Sequence, residues 1–127
     1  MAKIQLKVSA NYAKGKLTLA LVQDARTVAS FTTDTKDASK IAGNLLSTAV
    51  KAHDLSGKPP PYKTKNEEVS LTVVRPSGHN VGPGRKSTST MMIFHFGETT
   101  LGIEVPNEDA QIIGRRLMTA AAEGRKQ

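Results

Sequence analysis

Apolar and polar residues alternate at the start of the chain, with Ile4, Leu6 and Val8 set against Lys3, Gln5, Lys7 and Ser9. A period of two is that of a strand with one buried face, so the opposite face of this strand is expected to be basic. Ala10 to Gly15 reads as a turn, because Asn11 and Gly15 tolerate positive φ. Leu17, Leu19 and Leu21 then form the inward side of a second strand, and Gln23 to Arg26 turns the chain into a third, with Ala29 and Phe31 inward. From there the period lengthens. Ala38, Ile41, Ala42, Leu45, Leu46, Ala49 and Val50 recur at helical spacing, with Asp34 or Thr35 as the expected N-cap and Asp37 in the first turn, where an acid complements the helix dipole. The helix is expected to end near His53, before Gly57.

The pattern breaks from Leu55 to Glu67, where Gly57, three prolines at 59 to 61 and three lysines read as a stiff, solvated linker. Alternation resumes at Val69, Leu71 and Val73, the expected fourth strand, followed by a glycine-rich loop from Arg75 to Ser87. Met91 and Ile93 are assigned inward on the fifth strand and Leu101, Ile103 and Val105 inward on the sixth. A last helix is expected after Pro106, with Asn107 as cap, Ile113, Leu117, Met118 and Ala121 inward, and Gly124 as C-cap.

Shifted by 72 positions, Lys16 to Lys51 falls on Thr88 to Glu123. Thr18/Thr90, Thr27/Thr99, Asp37/Asp109, Ala38/Ala110, Ile41/Ile113, Leu45/Leu117 and Ala49/Ala121 are identical across that shift. The chain therefore reads as an α+β protein with an internally duplicated βββα-βββα unit. It is expected to form a single domain of two repeats, about 1–54 and 68–124, joined by the linker 55–67. Each repeat alone offers one sheet face and one helix, little apolar area for a stable unit of that size. A shared, mainly antiparallel six-stranded sheet with both helices packed on one face is the simplest solution. On the same pairing Lys3, Lys7, Lys16, Thr18, Ala20 and Val22 face outward in the first repeat, and Ser70, Thr72, Val74, Thr90, Met92, Phe94 and Phe96 in the second. The last three would replace Ala20, Val22 and Asp24.

Charge changes this picture. The chain carries a formal +7 and a pI near 9.9, a balance that draws polyanions by long-range attraction. Absence of cysteine excludes disulfides, thiolate metal sites and cysteine nucleophiles. Every apolar stretch is interrupted by charge before the ~20 residues a membrane span needs, and the alternating first residues lack the apolar run of a secretory signal. A cytoplasmic protein is the expectation, nuclear or nucleoid-associated if it binds nucleic acid.

Candidate chemistry is thin. Gly78 to Ser87 holds three glycines before Arg85-Lys86-Ser87, but the Walker pattern needs lysine directly after its last glycine and a helix behind it. The loop is read instead as a basic finger. His53, His79 and His95 are scattered, the carboxylates do not pair, and no metal, cofactor or catalytic group is expected. Pro59-Pro60-Pro61-Tyr62 matches a short WW-domain ligand and is also what a stiff linker looks like. The leading expectation is a non-enzymatic nucleic-acid binder, for single-stranded or structured DNA or RNA. Lys3, Lys7, Lys14, Lys16, Arg75, Arg85 and Lys86 would meet phosphates, with Tyr12 and Phe94 as base-stacking candidates. Met92, Phe94 and Phe96 are equally readable as a homodimer interface. The alternatives are an inhibitor or adaptor docking on an acidic protein, or a homodimer holding a small anionic ligand.

Overall fold

The computed structural model describes residues 3–11, 14–59 and 71–125. The chain divides into two compact units, Met1–Val74 and Arg75–Gln127. The first holds β1 (Ile4–Asn11), β2 (Lys16–Gln23), β3 (Arg26–Asp34), a 3₁₀ turn at Thr35–Asp37 and α1 (Ala38–Ser56). The second holds β4 (Gly78–Pro83), β5 (Ser89–Phe96), β6 (Thr99–Pro106) and α2 (Asn107–Gly124). This is the expected βββα order, twice. Among the described residues the strands pair as two three-stranded antiparallel sheets, β1-β2-β3 and β4-β5-β6, rather than as one six-stranded ladder.

In the first sheet the register places Leu6 opposite Leu21, Val8 opposite Leu19, and Leu19 opposite Phe31. Leu17, Ala29, Ile4 and Ala10 complete this apolar face, as the alternation predicts. Gln23 pairs with Arg26 across a two-residue turn in which Asp24 and Ala25 both have positive φ, at 51° and 64°. A turn with both central residues left-handed matches the twist of the strands it joins. Just beyond it the register slips by one, so that Leu21 faces Ala29 while Val22 faces Thr27 and Val28 is the bulged extra residue.

Three expectations for the second repeat fail on pairing. Leu71 and Val73 lie in no strand and are exposed, as is Val74, and Val69 lies outside the described residues. The strand that pairs with β5 is Gly78–Pro83, inside the stretch read as a loop. Its glycines and proline suggest a loop, yet an edge strand tolerates both, and hydrogen-bonding partnership rather than alternation makes a strand. Consequently the long Arg75 to Ser87 finger does not exist. The β4–β5 connection leaves only residues 84 to 88 outside the strands, and one unit's hydrogen bond from Thr35 N to Gly15 O (3.0 Å) recurs in the other from Asn107 N to Thr88 O (3.0 Å).

The third correction concerns faces. β5 pairs with β6 so that Thr90 meets Val105, Met92 meets Ile103 and Phe94 meets Leu101, whereas Met91 meets Glu104 and Ile93 meets Gly102. Met92, Phe94 and Phe96 therefore share the face of Leu101, Ile103 and Val105. Met91 and Ile93 share the other with Asn80, His95, Thr100 and Glu104. The true counterparts of Met92, Phe94 and Phe96 are Leu19, Leu21 and Gln23, a shift of 73, because Val28 adds a residue to β3 that β6 lacks. A one-residue slip moves every side chain to the opposite face, and that is how the 72-residue alignment misassigned β5 while placing β6 correctly.

α1 ends as expected, with Gly57 at φ 71° as its left-handed C-cap. Asn107 is the first residue of α2 rather than its cap, and Gly124 its last, with Arg125 capping.

Candidate nucleic-acid interface

The polar face of the first sheet is built by the same alternation that builds its apolar face. Gln5, Lys7, Ser9 and Asn11 on β1 pair with Val22, Ala20, Thr18 and Lys16 on β2, which in turn meet Thr27, Ser30, Thr32 and Asp34 on β3. Lys3, Gln5, Lys7 and Val22 line a shallow cleft of about 270 Å³ closed at one end by Asp24 and Ala25 of the turn. Thr18 Oγ1 and Thr32 Oγ1 lie 3.3 Å apart on this face. Lys16 is already committed, since its ammonium pairs with the Asp34 carboxylate, and that hydrogen bond and charge hold Asp34 below the usual carboxylate range. Lys3, Lys7 and Lys14 carry no ion pair among the described residues. No aromatic ring stands on this face among the described residues, and Tyr12 lies outside them.

In the second unit the β4–β5 turn is held by one acid. Glu104 on β6 accepts the Arg85 backbone N–H at 2.6 Å, the Arg85 Nε and Nη2 at 3.0 and 2.8 Å, and the Ser89 hydroxyl at 2.9 Å. These bonds, the Arg85 side chain foremost, hold the Glu104 carboxyl at about 2 and raise the Arg85 guanidinium. Absence of an acid between Arg75 and Lys86 argues in sequence for a free basic finger; Glu104, 19 residues away from Arg85, supplies the counter-charge across the sheet. Gly84 is required here. A Cβ would come within 2.8 Å of the Ser89 carbonyl carbon and 2.7 Å of Glu104 Oε2.

Asn107 fastens the same turn to α2, its Nδ2 donating to Ser87 O at 3.1 Å and its Oδ1 accepting from Thr90 Oγ1 at 2.7 Å. An open cleft of about 620 Å³ lies between the turn and the start of α2, where Arg85 and Lys86 face Glu104 and Glu108. Two bases against two acids leave little net attraction for a small anion. Lys86 has no ion-pair partner among the described residues, and Arg75 is exposed ahead of β4.

His95 is structural in its contacts. Its ring nitrogens lie 3.1 Å from Asn80 Nδ2 and 3.1 Å from Thr100 Oγ1, and its carbonyl accepts from Ser77 N and Oγ. A neutral ring with its proton on Nδ1 satisfies both side-chain bonds. Neither Asn80, Thr100 nor Ser77 carries a sequence signal that pairs it with His95. Among the described residues no group of three His, Asp or Glu is placed to hold a metal, and no helix is long and apolar enough to cross a membrane.

The sequence-predicted residues thus separate into groups. Lys3 and Lys7 share one cleft. Lys16 and Arg85 are paired to acids, and Lys14, Arg75 and Lys86 stand in turns and coil. Phe94 lies on the apolar side of its sheet. No protein-family model matches the chain, and comparison with curated proteins and with solved structures finds no match.

Proposed function

We propose that the protein is a non-enzymatic binder of single-stranded or structured nucleic acid, with the polar face of the first sheet as its principal surface. The observation that carries this reading is the register of β1 and β2. It gathers Lys3 and Lys7 with Gln5, Ser9, Asn11 and Thr18 on one open face, donors of the kind that track a phosphate backbone. The net charge of +7 supports it by raising encounter rates with polyanions. Lys14 extends the surface at the first hairpin, and Lys86 and Arg75 add cationic groups in the second unit.

Lack of an aromatic on the described part of this face makes phosphate contact, not base stacking, the source of affinity. An acidic protein surface would meet the same lysines, and salt-dependent binding to oligonucleotides separates the two. Fluorescence anisotropy with labelled single-stranded DNA and RNA at 50 and 200 mM salt is expected to show binding that weakens steeply. Lys3→Gln/Lys7→Gln should flatten the log–log salt slope by about 1.4 for a single strand, at ~0.7 per phosphate contact. Binding that is absent at 50 mM, or unaffected by salt, overturns the proposal.

A further inference from the structure

The cleft at the turn end of the first sheet is lined by side chains of different kinds. Lys3 and Lys7 are cations, Asp24 is an anion, and Val22, only 8% exposed, is apolar. The register brings them together. Gln5 lies opposite Val22 and Ile4 opposite Gln23, so the chain just before β1 runs alongside the turn that carries Asp24. With φ at 51°, the first position of this turn suits Asn, Asp or Gly. Of the three, only Asp brings a charge into a cleft that two lysines prepare for phosphate. It makes no ion pair with either lysine among the described residues, whereas Asp34, at the opposite end of the strands, is neutralised by Lys16. An ionised carboxylate accepts hydrogen bonds and donates none. The sugar-phosphate chain of DNA offers it no donor and repels it, while every sugar of RNA carries a 2′-hydroxyl that donates.

We propose that this cleft is a ribose subsite through which the protein prefers RNA to DNA, an inference that rests on the nucleic-acid reading above. Lys3 and Lys7 stand four residues apart, roughly 13 Å along an extended chain at ~3.3 Å per residue, so their ammonium groups meet different phosphates of one strand. A sugar between those phosphates lies over Gln5 and Val22, with the Val22 methyls against its apolar edge and the Asp24 carboxylate accepting from its 2′-hydroxyl. At about 270 Å³ the cleft falls below the ~300–1,000 Å³ of pockets that enclose a drug-sized molecule, which suits a sugar whose base stays outside. No aromatic ring lines it to stack a base. Discrimination therefore falls on the sugar and is the same for every base.

Fluorescence anisotropy at 50 mM salt tests this with three labelled single strands of one base sequence. They are RNA, the matching DNA with deoxyuridine in place of uridine, and 2′-O-methyl RNA, which keeps the oxygen and loses the donor. RNA is expected to bind about tenfold tighter than either of the others, the size of one hydrogen bond to a charged group. Asp24→Gly retains a residue suited to the turn and removes the acceptor, and with that variant the three strands are expected to bind within about twofold of one another. DNA or 2′-O-methyl RNA binding as tightly as RNA overturns the inference and leaves the nucleic-acid reading in place. So does a preference for RNA that persists unchanged in Asp24→Gly. If none of the strands binds, the reading beneath it falls and the inference with it.

Discussion

Glu104 shows how one side chain can organise a turn and remove a candidate ligand at once. Its carboxyl titrates near 2 in the folded chain against an ordinary 4.5. A folded-state value that is depressed means the unfolded chain takes up the proton first. The stabilisation is therefore full above about 4.5 and is lost as pH falls towards 2. Thermal unfolding of Glu104→Gln should show a lower Tm than the parent at pH 7, with the gap closing by pH 2; a gap independent of pH would show that the charge does not matter. Gly84 sits under the same carboxylate, and Gly84→Ala is expected to cost ~1–3 kcal/mol in urea unfolding through overpacking against Ser89 backbone. Gly102→Ala should cost less, since the atom in its way is Met91 Sδ at 2.9 Å on a flexible side chain. Ala25 at φ 64° carries a left-handed penalty that glycine lacks, so Ala25→Gly should stabilise the first unit by ~1 kcal/mol.

At the scale of elements, pairing decides what alternation only suggests. Leu71 and Val73 have the better strand sequence, and Gly78–Pro83 has the partner. Amide hydrogen exchange should find protection within 78–83 and none across 71–75, and Val73→Ser should change stability by less than about 0.5 kcal/mol because the side chain is 86% exposed. Protection over 71–75 would restore the original assignment. The bulge at Val28 is the second lesson at this scale. One inserted residue in β3 keeps the turn at Asp24-Ala25 and the apolar face of the sheet compatible, and it is invisible to a comparison that allows only one shift. Once it is placed, the outward Met92, Phe94 and Phe96 cease to be an anomaly and become the apolar face of their sheet.

For the whole molecule the question is where the charge and the apolar surface go. With Lys16 paired, the proposed phosphate contacts that carry no ion pair in the first unit are Lys3, Lys7 and Lys14. Engagement of these three on a single strand predicts a salt slope of about −2.1, a loss of roughly twentyfold in affinity between 50 and 200 mM. The proposed function rests on phosphate rather than base contacts, and on that reading homopolymers of different base should differ by less than about threefold at fixed salt. A large base preference in anisotropy titrations would bring stacking back, with Tyr12 as the first residue to substitute.

Local pattern was sufficient for most of the architecture. The apolar and basic faces of β1 and β2, the end of α1 before Gly57, the turn at Asp24-Ala25, and the duplication itself follow from spacings of two and of three to four residues, which are properties of a segment alone; the start of α1 does not, since Asp37 rather than Asp34 or Thr35 is its N-cap. Tertiary structure decided whatever depends on a partner distant in sequence. The pairing of Arg85 with Glu104, the engagement of His95 by Asn80 and Thr100, the identity of β4 and the face of Phe94 are each fixed by a cross-strand register. Register is a relation between two segments, and a one-residue bulge changes it without altering the periodicity of either.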